Sequence, residues 1–90
     1  MSEDDKSNKD VIAFLLMTTD SDRTEEILDR LKGMAEVIEA YIIYGDWDMI
    51  VKVKIPSLPE LTRVVMNLRK IMGVRKTSTL ITLQEQECER

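Results

Sequence analysis

The stretch Tyr44-Gly45-Asp46-Trp47-Asp48 has the most unusual chemistry in the chain. It places two carboxylates, Asp46 and Asp48, on either side of the only tryptophan in the sequence. Paired carboxylates carry out acid–base catalysis in hydrolases, but two aspartates beside a glycine are more often turn residues. An aromatic side chain at a loop tip is costly to expose and useful for contacting a ligand or a partner. Two interpretations therefore stay open: a site that contacts a ligand or a partner, and a turn that is held in place by the aromatic residues beside it.

The sequence lacks the residues on which most catalytic and metal sites depend. It contains no histidine, and its single cysteine, Cys88, excludes an intrachain disulfide. It contains no phosphate-binding glycine loop, Cys-x-x-Cys pair or serine triad. We therefore predict no catalytic residues, no metal and no cofactor, and a protein that is not an enzyme.

Charge and hydropathy exclude two further classes of partner. The sequence has 13 Lys and Arg against 17 Asp and Glu, a net charge of -4, whereas duplex-binding domains carry a basic stripe. The longest apolar run, Val11 to Met17, is far shorter than the roughly 18 residues of a membrane span. The polar, acidic N-terminus is unlike a signal peptide. We expect no direct nucleic-acid partner, no membrane partner and a cytoplasmic location.

The chain of 90 residues makes one small domain, and four stretches in it have the composition of β-strands. Residues 11–17 are continuously apolar, as in a strand covered on both faces. Residues 37–44 and 47–55 are rich in β-branched and aromatic side chains. They are joined by Gly45-Asp46, which predicts a two-residue type II′ hairpin. Residues 74–83 are predicted to form a last, threonine-rich strand.

Two segments between these strands have helical spacing. Capping boxes at Asp22–Glu25 and Ser57–Glu60 are predicted to start the helices, and Gly33 and Gly73 to end them. The apolar positions are Ile27, Leu28 and Leu31 in the first helix, and Leu61, Val64, Val65, Leu68, Ile71 and Met72 in the second.

The predicted order β-α-β-β-α-β is that of a ferredoxin-like α+β fold. Right-handed crossovers place both helices on the same face of a four-stranded antiparallel sheet. We assign residues 10–83 to this domain, residues 1–9 to a disordered polar lead-in and residues 84–90 to a polar tail.

Two helices cover only one face of such a sheet. The first strand is apolar on both sides, because Ile12, Phe14 and Leu16 alternate with the other apolar residues of the strand. A monomer would expose more contiguous apolar surface than soluble monomers tolerate. We therefore predict a homodimer that packs sheet against sheet, as an αβ sandwich or barrel, and buries about 800 Å² per partner.

Two longer motifs stand out in the chain. One is Val37-Ile38-Glu39-Ala40-Tyr41, followed by the turn Gly45-Asp46-Trp47-Asp48; the other is Gly73-Val74-Arg75-Lys76-Thr77-Ser78-Thr79. Together they resemble the effector-binding (RAM) module of the Lrp/AsnC, or feast/famine, transcription regulators, over residues 11–83. Full-length family members carry an N-terminal helix-turn-helix domain, whereas only residues 1–10 precede the first strand here. The chain therefore resembles a stand-alone module without that domain.

The resemblance implies binding of a free amino acid or similar small effector, and oligomerisation, in the regulation of transcription or amino-acid metabolism. It implies dimers that assemble into rings (octamers or decamers), with effector bound at dimer–dimer junctions, and hetero-assembly with full-length Lrp/AsnC-type regulators. The implied effector site comprises Gly45, Asp46, Trp47, Asp48, Thr77, Thr79, Leu80 and Ile81. In this site Asp48 would bind the ammonium of the amino acid, and N–H groups of the turn and threonine hydroxyls its carboxylate.

Other interpretations of these residues stay open. Thr77 and Thr79 also fit the ordinary preference of edge strands for threonine, and Lys52 and Lys54 fit a solvated or inter-dimer row of charges. Two other families share the architecture: small dimeric αβ-barrel enzymes, such as monooxygenases and isomerases, and ACT-like amino-acid sensors. The missing histidine argues against the first family. The segment 19–23, Thr-Asp-Ser-Asp-Arg, argues against the second, whose first helix usually starts with proline and glycine.

Overall fold

A computed structural model describes residues 10–83 of the chain. The elements are β1 (Val11–Thr19), α1 (Thr24–Lys32), β2 (Val37–Ile42), β3 (Met49–Ile55), α2 (Leu58–Arg69) and β4 (Val74–Ile81). This order confirms the predicted ferredoxin-like α+β fold. The predicted lead-in (1–9) and tail (84–90) lie outside the described residues. Neither helix within residues 10–83 has the length and apolar character needed to cross a membrane.

The antiparallel sheet has the strand order β2-β3-β1-β4, so β1 and β3 are central and β2 and β4 are the edges. Met17, near the end of β1, lies opposite Met49 of β3 on one side and opposite Thr77 of β4 on the other. The beginnings of β3 and β4 therefore meet at the end of β1. A register shift between Met17 and Thr19 follows on the β4 side.

One face of the sheet and both helices form a single hydrophobic core. Its buried residues are Ala13, Leu15, Met17, Met49, Val51, Val53 and Ile55 from the central strands, and Ile27, Leu31, Leu61, Val64 and Leu68 from the helices. The predicted stripes are therefore confirmed within the helices, where Leu28 and Val65 also pack against this core. Ile71 and Met72, predicted to belong to the second stripe, lie beyond the end of α2, and of these two Ile71 still packs against the core. Met72 is 68% exposed, because α2 ends at Arg69 and the helical spacing does not extend to residue 72.

Neither predicted capping box forms. A 3-10 turn at Ser21–Arg23 precedes α1, so the predicted N-cap Asp22 lies inside this turn and caps nothing. Ser57 does occupy the N-cap position of α2, but its side chain makes no capping hydrogen bond. Pro59, in the second helical position, removes one of the two N–H groups that can donate to an N-cap side chain. Nothing in the structure explains why the other, the N–H of Glu60, is not bonded to Ser57.

The two predicted stop glycines also differ from expectation. Gly33 follows the last residue of α1 but keeps a right-handed φ of -86°, so this helix end does not require glycine. Gly73 lies beyond the end of α2, in the turn before β4, with a φ of +101°. A Cβ atom there would lie 2.9 Å from Cδ of Arg23 and 3.1 Å from Cδ1 of Ile27. Glycine is needed at position 73 both for its backbone conformation and for this close approach.

The predicted two-residue hairpin between β2 and β3 is wrong. β2 ends at Ile42 and β3 begins at Met49, and the Ile43 N–H donates to the Asp48 carbonyl oxygen at 2.9 Å. This bond closes a four-residue loop, residues 44–47, in which Gly45 has the positive φ expected of it, +125°.

The face of the sheet opposite the helices, which we term the open face, is rich in apolar side chains. Directly paired residues share a face, so the register places Ile12, Phe14 and Leu16 of β1, Tyr41 of β2, Ile50 of β3 and Leu80 of β4 on it. Tyr41 and Leu80 are more than half exposed. The Lys52 ammonium lies 5.9 Å from the centroid of the Phe14 ring.

Candidate functional site

The loop between β2 and β3 projects from the end of the sheet where β3 and β4 begin. Tyr44 is fully exposed, and Gly45 and Asp46 at the tip are also exposed. Trp47 and Asp48, which lead back into β3, are half-buried. The loop therefore has an exposed tip, residues 44–46, and a partly buried base, residues 47–48.

Asp48 fixes the base of this loop to the end of β1. Its Oδ2 accepts a hydrogen bond from the backbone N–H of Thr19 at 2.8 Å. Its own N–H donates to the Met17 carbonyl oxygen at 2.9 Å. An ionised carboxylate offers about four lone-pair positions, and within residues 10–83 only Oδ2 is engaged. Asp48 is thus a structural residue with acceptor capacity to spare.

Lys76 of β4 reaches the same end of the sheet, which the sequence analysis did not foresee. Its ammonium lies 5.7 Å from the centroid of the Trp47 ring, within the range of a cation–π attraction. Its backbone N–H donates to Thr18 Oγ1 at 3.0 Å. We refer to Gly45–Asp48 together with Lys76 and Thr77 as the hairpin site.

The remaining predicted site residues do not join the hairpin site within one chain. Thr79 and Ile81 lie opposite Leu15 and Ala13, on the helix-covered face, whereas Leu80 lies on the open face. At roughly 3.3 Å per residue, Ile81 is about 13 Å farther along β4 than Thr77. Only Thr77 of the four predicted β4 residues is placed at the hairpin end, and it too lies on the helix-covered face, opposite the buried Met17.

A second set of contacts anchors the start of β4. The Arg75 guanidinium pairs with the Asp20 carboxylate, and the Asp20 N–H donates to the Gly73 carbonyl oxygen at 2.8 Å. The hydrogen bond and the negative charge of Asp20 raise the pKa of the Arg75 guanidinium. These contacts tie the strand that carries Lys76 to the turn before α1. They therefore help to fix the position of Lys76, in addition to the contact of its own side chain with Trp47.

Comparison with known proteins identifies the family. The sequence model described as "Lrp/AsnC ligand binding domain" matches residues 12–90. The HTH-type transcriptional regulator FL11 of Pyrococcus furiosus is 31% identical over 74 residues, which are 82% of this chain and 49% of that regulator. The chain thus spans about half the length of the curated relatives it matches.

Two solved structures extend the similarity to the fold. A hypothetical protein from Pyrococcus horikoshii is 39% identical with a TM-score of 0.78, over 83% of this chain and 92% of that one. The AsnC protein of E. coli is 27% identical with a TM-score of 0.84, over 100% of this chain and 61% of that one. These similarities favour the Lrp/AsnC resemblance over the two alternative families. This chain belongs to the Lrp/AsnC ligand-binding domain family.

Proposed function

We propose that this domain binds a free amino acid as an effector and oligomerises, and that it acts in the regulation of transcription or amino-acid metabolism without enzymatic activity. The observation that carries the proposal is the convergence of a carboxylate, an aromatic ring and an ammonium at the end of β1, at Asp48, Trp47 and Lys76. The family match and the regulator relatives support the regulatory role.

The chemistry of the hairpin site suits a zwitterion. The Asp48 oxygen that does not bond to Thr19 would accept a hydrogen bond from the effector ammonium, and the Trp47 ring would pack against its aliphatic part. The effector carboxylate would take N–H donors from the turn, the Thr77 hydroxyl and the Lys76 ammonium. Lys76 is an addition to the donors expected from the sequence.

The predicted site residues farther along β4, Thr79, Leu80 and Ile81, would contribute from a neighbouring copy. Leu80 and Ile81 are 52% and 46% exposed, so a second chain can reach them. A site shared between chains is what the family resemblance implies, with rings of dimers built around such junctions.

We further propose that two copies pair through the open face. Its apolar residues, from Ile12 to Leu80, lie on all four strands of the sheet, and Lys52 and Lys54 of β3 lie among them. Burying such a patch contributes about 25 cal/mol per Å² of apolar area before the costs of association are subtracted. Rings of such dimers and hetero-assembly with full-length regulators are part of the same proposal.

The net charge of the chain, -4, favours action through a DNA-binding family member rather than direct contact with DNA.

A thermal-shift screen of the twenty amino acids tests effector binding. An effector present at about 100 times its Kd stabilises the folded protein by about 2.7 kcal/mol. For a domain of this size, that corresponds to a rise in Tm of about 10 °C or more. If none of the twenty raises Tm at millimolar concentration, the proposed sensing function is refuted.

A further inference from the structure

The outer edge of β4 is a sheet edge without the usual protection against pairing. Within residues 10–83, β4 has a neighbouring strand on one side only, where it pairs with β1. The segment 77–83, Thr-Ser-Thr-Leu-Ile-Thr-Leu, contains no charged residue, proline or glycine. Soluble proteins protect edge strands with lysine, proline or a bulge, because the free N–H and C=O groups of an edge can pair with another chain. Residues 77–81 carry none of these three devices.

The register shows which peptide groups of β4 point outward. The Thr82 N–H donates to the Ile12 carbonyl oxygen at 3.0 Å, and hydrogen-bonded positions alternate along an antiparallel strand. Every second residue before Thr82 therefore bonds to β1, and the residues between them direct their N–H and C=O groups away from β1. These outward residues are Thr77, Thr79 and Ile81. The register with β1 has no shift over these positions, so three evenly spaced pairs of donor and acceptor line the edge.

The other edge strand, β2, is interrupted. Its register with β3 shifts between Val37 and Glu39, and a bulge of this kind disrupts pairing at an edge. The hydrogen bond of Ile43 across the loop sets the alternation in the rest of the strand. It leaves Ala40 and Ile42 as the outward residues between the bulge and the loop. Of the two edges, β4 therefore offers the longer regular row of peptide groups.

From this arrangement we propose that the edge of β4 pairs with β4 of a second copy, antiparallel and centred on Thr79, so that two four-stranded sheets join into one sheet. In this register Thr79 lies opposite the partner's Thr79, and Thr77 lies opposite the partner's Ile81. All of these are outward residues, so each pair exchanges both of its hydrogen bonds. The segment is its own complement, because it has no charge that a second copy would repel. The pairing also gives Ile81, which is 46% exposed, a cross-strand neighbour.

The edge of β4 and the open face are separate surfaces, so one copy can pair through both. Two different twofold contacts on each chain join dimers into larger closed assemblies. Edge pairing also places the partner's Ile81 beside Thr77, at the hairpin end of the sheet. The proposed function takes residues of β4 from a neighbouring copy, and only this last consequence rests on it.

Disulfide trapping tests the proposal at the twofold axis. Thr79→Cys is made together with Cys88→Ser, so that it carries the only thiol. Directly opposite residues of a hydrogen-bonded pair have Cα atoms about 5.5 Å apart, a distance that a disulfide bridges. Thr79 lies on the helix-covered face, so pairing through the open face alone cannot bring the two thiols together.

Ala40→Cys in the same background is the matched control, because Ala40 is also half-buried and outward-directed on an edge strand. Under mild oxidation at about 10 µM protein, Thr79→Cys should form a covalent dimer about a hundredfold faster than Ala40→Cys, since paired thiols have a millimolar effective concentration. Equal rates for the two variants would overturn the proposal.

Charge introduction gives an independent arm. In Thr79→Lys two ammonium groups oppose each other across the twofold axis, and like charges in directly opposite positions destabilise a strand pair. The mass of the assembly by light scattering should therefore fall by about half or more, because one of two twofold contacts is lost. The matched variant Ala40→Lys should leave the mass unchanged. A native mass in both variants, with native circular dichroism, would overturn the proposal.

The outcomes separate this pairing from the proposed function. Trapping at Thr79 together with a melting screen in which no amino acid raises Tm would support the edge pairing and refute effector sensing. A positive melting screen without trapping would overturn the edge pairing and leave effector binding standing. Trapping only in a mixture of Thr79→Cys and Ala40→Cys chains would show that β4 pairs with β2, and would overturn the proposed pairing of β4 with β4.

Discussion

Replacing Asp48 by alanine removes the acceptor that holds the loop between β2 and β3 against the end of β1. Its partner is the backbone N–H of Thr19 at 2.8 Å, and Thr19 is only 8% exposed. A buried N–H left without an acceptor costs about 1–3 kcal/mol. We therefore expect Asp48→Ala to lower the free energy of unfolding by about 2 kcal/mol, and Tm by about 8–16 °C.

Asp48→Asn separates this structural role from the charge. The asparagine side chain keeps an oxygen that accepts the Thr19 N–H, so its cost should stay below about 1 kcal/mol. Asp46→Ala is the matched control, since Asp46 is exposed in the same loop and its removal should change stability by less than about 0.5 kcal/mol.

Denaturant unfolding followed by circular dichroism measures these differences. All variants must be compared at one protein concentration, because assembly makes the apparent stability depend on it. If Asp48→Ala were as stable as the native chain, the bond to Thr19 would contribute nothing. If Asp48→Asn were as unstable as Asp48→Ala, the charge rather than the hydrogen bond would hold the loop.

Three further predictions follow from the fold. Gly73→Ala should lower the free energy of unfolding by about 2 kcal/mol or more, because of the φ of +101° and the close contact with Arg23. Gly33→Ala, where a Cβ meets nothing closer than 3.6 Å, should leave stability unchanged or raise it slightly. Equal melting temperatures of the two variants would contradict this. The native chain should have a mass of at least twice 10.4 kDa by light scattering at micromolar concentration. Phe14→Asp on the open face should reduce that mass and Met66→Asp on α2 should not; a native monomer would contradict pairing through the open face. Random duplex DNA should show no gel shift at about 0.15 M salt, since the chain carries a net charge of -4, and a clear shift would reveal a basic surface that the net charge conceals.

The fold was predictable because its signals are local and repeated. The first strand is apolar at both Leu15 and Leu16, and the register places Leu15 in the core and Leu16 on the open face.

The site was less predictable because its contacts are long-range. The base of the loop is held to the end of β1 by Asp48 bonding to Thr19, 29 residues away, whereas turn propensity considers only neighbours. Lys76 reaches Trp47 only through the register of β1 with β4, which the composition of either strand does not specify. The family resemblance grouped Thr79 with the hairpin residues, whereas within one chain the strand carries it away from them.

The central claim is that a free amino acid binds at the hairpin site with Asp48 as the counterion of its ammonium. Isothermal titration calorimetry with the amino acid found in the melting screen, on the native chain and on Asp48→Asn, tests it most directly. A charge-assisted hydrogen bond is worth about 1.5–3 kcal/mol, so the variant should bind about ten- to a hundredfold more weakly while its mass by light scattering stays unchanged. Equal affinity in the native chain and the variant would contradict the claim.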